Sequence, residues 1–310
     1  MKRRLAKFLL RRYPFYSGYF KVLTSPLIRW VEGGPQAGRV VRTRARGGID
    51  IEVRLDDLEG RCIDLLGEWD PRISWICRRI LRRGDIFVDV GANFGLVSLV
   101  GARAVGPTGH VHSFEPQPSL AVMLRRSCAL NGVENLTLHE VALSDTDGVL
   151  ELHVPLNHSG GASLQGQATG SETSIPVQVR RGAPYFEEHG IGEIRLLKID
   201  VEGHEATVLE GLRPLFRDRP PAAVLFESVE WFEGIGRGAR AEESPFAELA
   251  TIRLLRDYGY RFYAVGRSLL RVNLYRVDAY ATGHPPVSDL LAIHEAAASE
   301  IIKRLGIADG

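Results

Sequence analysis

A glycine-rich turn followed by a lone carboxylate is the densest chemical pattern in the first half of the chain. The segment Phe87-Val-Asp-Val-Gly-Ala-Asn-Phe-Gly95 runs from an apolar stretch into the turn, and Glu115 closes the next apolar stretch, 24 positions after Gly91. Glycines let a backbone approach a ligand closely, a helix N-terminus offers free N–H groups, and a strand-end carboxylate pairs with ribose hydroxyls. The pattern therefore predicts a site for an adenosine-containing ligand.

The side chain between the two glycines bears on which ligand this is. A dinucleotide site reads G-x-G-x-x-G, and its second glycine clears space for the pyrophosphate. Here Asn93 lies between Gly91 and Gly95, where it would crowd a pyrophosphate but suits S-adenosylmethionine, which has no phosphate and presents an amino-acid tail. The glycine turn alone leaves both cofactors open, and Glu115 has the alternative of a solvated charge at a strand end.

A second polar cluster follows a later apolar stretch. The segment Leu196-Leu-Lys-Ile-Asp-Val-Glu-Gly-His-Glu205 ends a predicted strand in Asp200 and crowds further acidic groups into the next turn, while Glu227 ends the following strand. The carboxyl ends of parallel strands meet at one edge of a sheet, so these groups are expected beside the glycine turn. Buried strand-end carboxylates cost free energy unless they are paired, which favours a functional role.

The candidate catalytic residues are Asp200, His204 and Lys198. Asp200 is the first candidate for a general base and His204 the second, although His204 has the alternative of a solvated or capping residue in a first helical turn. Lys198 lies inside an apolar strand and needs a partner, so an ion pair with a nearby carboxylate is the simpler interpretation. No metal is expected, and the alternative is a divalent cation on Asp200, Glu202 and Glu227, since Mg²⁺ prefers oxygen ligands.

The size and composition fit one α/β domain with appendages. The chain has 310 residues, of which 45% are apolar and 25% charged, ordinary values for a soluble globular enzyme. The net charge of +1 is unevenly distributed: residues 1–46 hold 12 Lys and Arg against the single acidic residue Glu32, and the remainder holds 27 against 37. The basic end is therefore a separate physical unit.

The basic N-terminal segment has a short amphipathic pattern. Leu5, Phe8 and Leu9 fall on one helical face among basic residues, which suits an anionic surface. The apolar run is too short for a secretory signal, and no stretch approaches the ~18 apolar residues of a membrane span. Docking on the acidic remainder of the chain, peripheral contact of residues 1–36 with a membrane, and nucleic-acid binding all stay open. Nucleic acid is not the expected partner, because the rest of the chain is acidic and holds no Asn-Pro-Pro-Tyr type of motif.

The cysteines are few and scattered. Cys62, Cys77 and Cys128 are odd in number and form no C-x-x-C pair, so they define neither a disulfide framework nor a zinc site. This usage predicts a reducing, cytoplasmic setting.

The order of hydrophobic patterns predicts a parallel sheet. Two alternating runs around Gly47-Gly48 predict a β-hairpin, and from about residue 72 strands alternate with helices. Such βαβ order implies right-handed crossovers and ligand sites at the carboxyl ends of the strands. The predicted strands are 86–90, 110–115, 136–143, 149–154, 175–179, 194–200 and 222–226, with a hairpin over 261–275. The predicted helices are 93–104, 118–131, 204–216, 245–258 and 288–305.

Several ordered motifs together resemble the FkbM family of S-adenosylmethionine-dependent methyltransferases. They are Gly67-Glu-Trp-Asp-Pro71, Phe87 to Gly95, Phe114-Glu-Pro116, Val141-Ala-Leu-Ser-Asp145 and Lys198 to Glu205. The resemblance covers about residues 60–280 and implies the class I methyltransferase (Rossmann-like) fold, a mostly parallel seven-stranded sheet with one antiparallel strand and helices on both faces. It also implies O-methylation of a hydroxyl on a sugar, glycan or secondary metabolite. A nucleic-acid methyltransferase and an NAD-dependent oxidoreductase on a similar sheet are the alternatives.

The resemblance also implies roles for individual residues. The turn residues Gly91, Asn93 and Gly95 would line the tail of S-adenosylmethionine, Glu115 would hold the ribose, and Asp200 would lie near the methyl group. The full set expected to bind the cofactor is Asp89, Gly91, Asn93, Gly95, Glu115 and Ala142, with Ala142 bordering the adenine.

The chain divides into four expected parts. They are a basic extension (1–36), a hairpin lead-in (37–71), the methyltransferase domain (72–283) and a C-terminal helix (284–310). Recognition of a small-molecule or glycan acceptor is expected from the Gly/Ser/Thr-rich loop 158–173, the segment 228–245 and the hairpin near Tyr263.

Overall fold

The computed structural model describes residues 2–12, 16, 18–32, 36, 38–156, 158–164, 172–228, 249–277 and 287–307. The helices in these ranges are α1 (Lys2–Leu10), α2 (Tyr19–Leu23), α3 (Pro26–Glu32), α4 (Leu58–Leu66), α5 (Pro71–Ile80), α6 (Leu96–Val105), α7 (Pro118–Asn131), α8 (Gly182–Glu188), α9 (Glu205–Gly211), α10 (Arg213–Asp218), α11 (Ala250–Asp257) and α12 (Glu295–Leu305). The strands are β1 (Val40–Ala45), β2 (Ile49–Arg54), β3 (Ile86–Val90), β4 (His110–Phe114), β5 (Leu136–His139), β6 (Ala142–Ser144), β7 (Gly148–Pro155), β8 (Glu172–Arg181), β9 (Ile194–Ile199), β10 (Ala223–Glu227), β11 (Tyr260–Arg267), β12 (Val272–Arg276) and β13 (Asp289–His294).

The main sheet has the order β12-β11-β13-β10-β9-β3-β4-β5. Strands β5, β4, β3, β9 and β10 are parallel, β13 runs antiparallel to its neighbours β10 and β11, and β12 is antiparallel to β11. The predicted α/β class, with a mostly parallel sheet, is confirmed. In the described residues this main sheet has eight strands instead of the predicted seven, because the β11–β12 hairpin adds one more strand at its edge.

Alternate residues of the central strands pack on opposite faces of this sheet. Phe87 of β3 lies in a core with α5, α6, α7 and α12, whereas Val88 and Val90 lie in a second core with α8, α9, α10 and α11. This alternation follows from the two-residue period of a strand. Helices therefore cover both faces, and the carboxyl ends of the parallel strands are left to form a site.

Three predicted elements are divided in the structure. The predicted helix 204–216 is two helices, α9 and α10, with Leu212 between them. A helix over 288–305 is wrong for Asp289–His294, which forms the antiparallel strand β13 between β10 and β11; only Glu295–Leu305 is helical. A short apolar run is compatible with either a strand or a helix, and here these residues are buried as a strand of the sheet. The predicted strand 136–143 is two strands, because β5 ends at His139 and Ala142–Ser144 pairs with β8 in a second, three-stranded sheet of order β6-β8-β7.

The predicted hairpin before the domain is confirmed as β1 and β2. It packs on α7, where the side chain of Asn131 accepts from the amide of Asp50 and donates to its carbonyl. The helices α1 to α3 pack against α4, and Leu23 and Ile28 join Leu65 in a small apolar core. These N-terminal elements therefore fold onto the domain.

The basic face of α1 docks on the rest of the chain, as one of the three interpretations expects. Arg3 and Lys7 both pair with the buried carboxylate of Asp64 in α4. Within the described ranges, no helix has the length and apolar content needed to cross a membrane.

Candidate active site

A cavity of about 830 Å³ lies at the carboxyl ends of β3, β4, β9 and β10. This is where ligands bind in open parallel sheets, and the volume is near the upper end of the ~300–1,000 Å³ typical of ligand sites. It is lined by residues of both predicted motifs, including Gly91, Asn93, Glu115, Asp200 and His204. The sheet thus brings together the two clusters that the sequence places about a hundred residues apart.

The two glycines of the turn are required by the protein's own packing. Gly91 has φ 81°, and a Cβ there would lie 1.9 Å from the carbonyl oxygen of Asp200. Gly95 has φ 84°, and a Cβ there would lie 2.1 Å from the side chain of Leu124 in α7. The sequence predicts that these glycines allow close approach of a ligand. The structure adds that they let the turn pack on β9 and α7.

Glu115 is a buried carboxylate that faces the cavity. Its two oxygens accept from the backbone amides of Asn93 at 2.8 Å and Gln117 at 2.9 Å, and the residue is only 3% exposed. Burial raises the pKa of Glu115 to about 7, in spite of the two amide donors. Each carboxylate oxygen has a further lone pair, so the group retains capacity for hydroxyl donors such as those of a ribose.

Asn93 fixes the turn at the cavity floor with its side chain. It has φ 51°, a left-handed conformation that asparagine tolerates better than most residues. Its amide nitrogen donates to Glu59 at 2.9 Å, and its amide oxygen accepts from Ser159 at 3.3 Å. Asn93 therefore connects the glycine turn to α4 and to the segment 158–164.

Lys198 forms the buried ion pair that its position in an apolar strand predicts. It lies opposite Asp89 in the β3–β9 register, and its Nζ is 3.1 Å from Oδ1 of Asp89 and 3.3 Å from Oδ2 of Asp200. It also donates to the carbonyl of Gly91 at 3.1 Å. Burial alone would lower the pKa of Lys198, but the two carboxylates raise it above its ordinary value. A cation held in this way orients Asp200 and is a poor proton acceptor.

Asp89 lies beneath the cavity and is absent from its lining. It is fully buried, accepts from the hydroxyl of Ser98 at 2.6 Å and pairs with Lys198. The sequence expectation is a direct contact with the cofactor. The position in the structure instead gives Asp89 an indirect effect, through Lys198.

Asp200, Glu202 and Glu227 meet at the rim of the cavity. One oxygen from each lies within 4.8 Å of the others, as the alternative metal set requires. Burial and the nearby carboxylates raise the pKa of Glu202 to about 8 and that of Glu227 to about 7. The cluster therefore takes up a proton readily near neutral pH.

Replacing Glu202 by Gln is expected to stabilise the ligand-free protein at high pH. The folded pKa of about 8 exceeds the ordinary 4.5, so the contribution of Glu202 to stability is complete below about pH 4.5 and is lost as the pH rises through about 8. The melting temperature of Glu202→Gln should equal that of the wild type near pH 4.5 and exceed it by a few degrees near pH 9.

Glu210→Gln is a matched control for this measurement, because the pKa of Glu210 is shifted in the opposite direction. Glu210 is exposed on α9, and its hydrogen bond to Arg213 lowers its pKa, so its loss should not stabilise the protein at high pH. Thermal unfolding followed by fluorescence at several pH values tests both variants. A difference for Glu202→Gln that does not grow with pH would contradict the crowded-carboxylate account.

His204 and Ala142 line the other side of the cavity. His204 is the N-cap residue of α9, 7% exposed, and its Nε2 lies 3.2 Å from the hydroxyl of Ser144. Its Nδ1 is buried, with no hydrogen-bond partner in the part of the chain that the structure describes. Burial lowers the pKa of His204, so the neutral imidazole is favoured. Ala142 is part of β6, beside this group.

Sequence reasoning missed the contribution of α4. Asp57 caps this helix through the amide of Gly60, and it also accepts from the amide of Ser159 at 2.5 Å. Glu59 lies in the cavity wall, where burial and the charge of Asp57 raise its pKa well above the ordinary value. Asp57 before an apolar run is a recognisable cap signal, but nothing in the local sequence brings Glu59 to a turn that follows β3.

The Gly67–Pro71 motif forms another part of the wall. Asp70 caps α5, and Arg72 pairs with Asp70 at 2.5 Å and with Asp289 of β13 at 2.6 Å. Arg72 also donates to the carbonyl of Val265 in β11. Arg72 therefore links α5, in the wall of the cavity, to β11 and β13 of the main sheet.

The acceptor-side segments are described only in part. Residues 165–171 of the predicted loop and 229–245 of the predicted segment 228–245 lie outside the described residues. Within 158–164, the amide and hydroxyl of Ser159 bond to Asp57 and Asn93, and a Cβ on Gly160 would clash with Glu59. This part of the loop therefore packs against the glycine turn.

Comparison with known proteins identifies the family. Residues 89–262, more than half of the chain, match the methyltransferase FkbM domain. The chain belongs to the FkbM methyltransferase family. The fold and cofactor implied by the motifs are those of this family, whose methyl donor is S-adenosylmethionine.

Curated relatives are similar to part of the chain. The chain is 33% identical over 159 residues to the 31-O-demethyl-FK506 methyltransferase FkbM of Streptomyces tacrolimicus, covering 43% of this chain and 61% of that protein. It is 28% identical over 148 residues to the 2-O-methyltransferase NoeI of Sinorhizobium fredii, covering 43% and 59%. The chain thus spans about three fifths of the length of the curated relatives it matches.

A solved structure of an FkbM methyltransferase is also similar. The protein from Methylobacillus flagellatus is 14% identical, with a TM-score of 0.37 over 94% of this chain and 58% of that one.

Proposed function

We propose that this protein transfers the methyl group of S-adenosylmethionine to a hydroxyl of a sugar, glycan or secondary metabolite. The observation that supports it best is that the buried Glu115 and the cluster around Asp200 line the same cavity. The first group suits the ribose of the donor, and the second suits the proton of an alcohol. One relative is named as a 2-O-methyltransferase and another as a 31-O-demethyl-FK506 methyltransferase, and both names favour an oxygen acceptor.

The residues present fit S-adenosylmethionine. Glu115 offers buried oxygens for two ribose hydroxyls, and Asn93 replaces the glycine that a pyrophosphate would need. Ala142 and its neighbours give an apolar wall for the adenine. Glu59 adds a buried carboxylate beside Asn93, where it would hold the ammonium of the amino-acid tail.

When bound, S-adenosylmethionine supplies an electrophilic methyl group, and its sulfur keeps the electron pair of the broken bond. The protein has to hold the acceptor oxygen in line with that bond, and such positioning supplies ~7–11 kcal/mol of a barrier. Asp200 accepts the proton of the hydroxyl, since its oxygen is fixed by Lys198 and it lies on the cavity. Glu202 and Glu227 favour this step, because a proton relieves the repulsion within the cluster.

Binding and transfer can be tested in one series of measurements. Calorimetry should show binding of S-adenosylmethionine and none of NAD, and binding of NAD alone would contradict the proposal. Methyl-labelled donor should then transfer label to hydroxyl compounds drawn from sugars, glycans and polyketides. Duplex and single-stranded nucleic acids serve as the comparison substrates, and labelling confined to them would refute the proposed acceptor class.

The same assay separates a carboxylate base from a metal. Lys198 already places a positive charge against Asp200, so turnover is expected to be unchanged by a chelator and by subsequent Mg²⁺. Turnover that is lost in chelator and restored by Mg²⁺ would instead assign Asp200, Glu202 and Glu227 as metal ligands.

A further inference from the structure

We propose that the N-terminal helices and the turn between β11 and β12 form one surface that docks on an anionic lipid bilayer beside the mouth of the cavity. We name this surface the apolar rim. It consists of Leu5, Phe8, Leu9, Leu27, Trp30, Leu269 and Leu270.

The docking of α1 determines which of its faces is exposed. Arg3 and Lys7 point inward and pair with Asp64, so the opposite face, with Leu5 and Phe8, points to solvent. An amphipathic helix normally buries its apolar face in its own protein. Here the charged face is buried, which leaves the apolar face for a partner.

The helix α3 and the hairpin turn extend the exposed apolar surface. Nζ of Lys2 lies 3.7 Å above the ring of Trp30, which joins α1 to α3. The amide of Tyr16 donates to the carbonyl of Leu269 at 2.9 Å, which joins the N-terminal segment to the hairpin turn. Two parts of the chain about 250 residues apart thus contribute to the apolar rim.

The exposure of the apolar rim is unusually concentrated. Each of its side chains is between 53% and 65% exposed, and the seven make up more than half of the twelve large apolar side chains exposed among the described residues. Scattered single apolar residues are normal on a protein surface, whereas a concentration of them marks an interaction site.

The charge around the apolar rim indicates the occupant. The N-terminal segment is rich in basic side chains, of which Arg3 and Lys7 are paired with Asp64. Lys2, Arg12 and Lys21 are exposed, and none of them pairs with a carboxylate of the described residues. Each basic residue near an anionic bilayer strengthens binding roughly fivefold, and exposed leucine and tryptophan insert at the headgroup boundary. Phosphates of a nucleic acid would use the charges but not the apolar side chains.

The apolar rim adjoins the active site. Gly18 and Lys21 from the N-terminal segment and Arg267 from β11 line the cavity. A protein docked through this surface therefore has its cavity mouth at the headgroup layer. It follows, on the basis of the proposed function, that the acceptor hydroxyl belongs to an amphiphile held in that layer.

Co-sedimentation with vesicles tests the docking without any assay of activity. The full chain should sediment with vesicles of phosphatidylcholine and phosphatidylglycerol, far less with phosphatidylcholine alone, and less as salt is raised. The triple variant Leu5→Gln, Phe8→Gln, Leu9→Gln should bind roughly tenfold or more weakly, because these side chains would insert. The double variant Leu269→Ser, Leu270→Ser should also bind more weakly.

A control variant shows whether position matters. Val149→Ser with Leu150→Ser removes two exposed apolar side chains from β7, outside the apolar rim, and should bind vesicles like the wild type. All the substituted residues are exposed, so melting temperatures and affinity for S-adenosylmethionine should stay unchanged. Retained affinity for the donor together with absent vesicle binding would overturn the docking and leave the proposed function standing.

Two further outcomes would also overturn the docking. One is tight binding of an RNA or DNA duplex without vesicle binding. The other is a dimer in sedimentation velocity that the triple variant abolishes while vesicle binding is absent, since a second copy would then cover the apolar rim.

Discussion

Replacing Asp200 by Asn is expected to lower the rate of methyl transfer by roughly 10²–10⁴-fold, the usual contribution of a general base. Asparagine keeps the size of the side chain and still accepts from Lys198, which lies 3.3 Å away, but it no longer takes a proton. Affinity for S-adenosylmethionine should stay within about twofold, because the substitution leaves the proposed donor contacts, Glu115 and the glycine turn, unchanged. Single-turnover transfer of labelled methyl, with calorimetry of donor binding, measures the two effects separately.

Asp218→Asn is the control for the loss of one carboxylate. Asp218 lies exposed at the end of α10, pairs with Arg217 and is not part of the lining of the cavity. It should leave both rate and affinity unchanged. If Asp200→Asn kept nearly full single-turnover rate, Asp200 would not be the base, and Glu202 and Glu227 would be the next candidates, since their raised pKa values suit proton transfer near neutral pH.

The second large effect is expected at Glu115. Glu115→Ala should weaken binding of S-adenosylmethionine by roughly 10–150-fold, the range for hydrogen bonds to a charged group. The rate at saturating donor should change little. The amides of Asn93 and Gln117 also lose their acceptor, so the melting temperature should fall as well. Glu115→Gln retains one accepting oxygen and keeps the test valid if the alanine variant unfolds.

Glu140→Ala and a donor analogue complete this test. Glu140 follows β5 as Glu115 follows β4, but it is exposed and pairs with Arg125, so its loss should leave donor affinity unchanged. An analogue of S-adenosylmethionine without the ribose 2′-hydroxyl should bind the wild type more weakly and show no further loss with Glu115→Ala. Equal losses in the two proteins would contradict a contact between Glu115 and that hydroxyl.

The sequence predicts those parts of the site that follow strands. The carboxyl ends of β3, β4, β9 and β10 converge in any parallel sheet, so Gly91, Glu115, Asp200 and Glu227 are expected together and are found together. The sequence also predicts that Lys198 has an acidic partner. A charge in an apolar strand needs a counter-charge, and the β3–β9 register supplies Asp89.

The parts that were not predicted depend on tertiary contacts. Glu59 reaches the donor turn only because α4 packs there, and its bond to Asn93 spans 34 positions of sequence. The sequence predicts a helix where Asp289–His294 forms a strand, since a short apolar run has no period of its own. The sequence predicts that α1 is amphipathic. The outward orientation of its apolar face follows from the ion pairing of its basic face with the buried Asp64.

The cavity wall extends beyond the part of the chain that the family shares. Glu59, Arg72 and Asp289 lie outside residues 89–262, yet all three line the cavity. A fragment cut at the family boundaries would therefore lack one side of its own binding site. Chimeras between relatives would have to take residues 57–72 from the same parent as the glycine turn, because Glu59 accepts from Asn93 across this boundary. The glycine turn and the helix α4, which precedes the matched region, therefore have to change together.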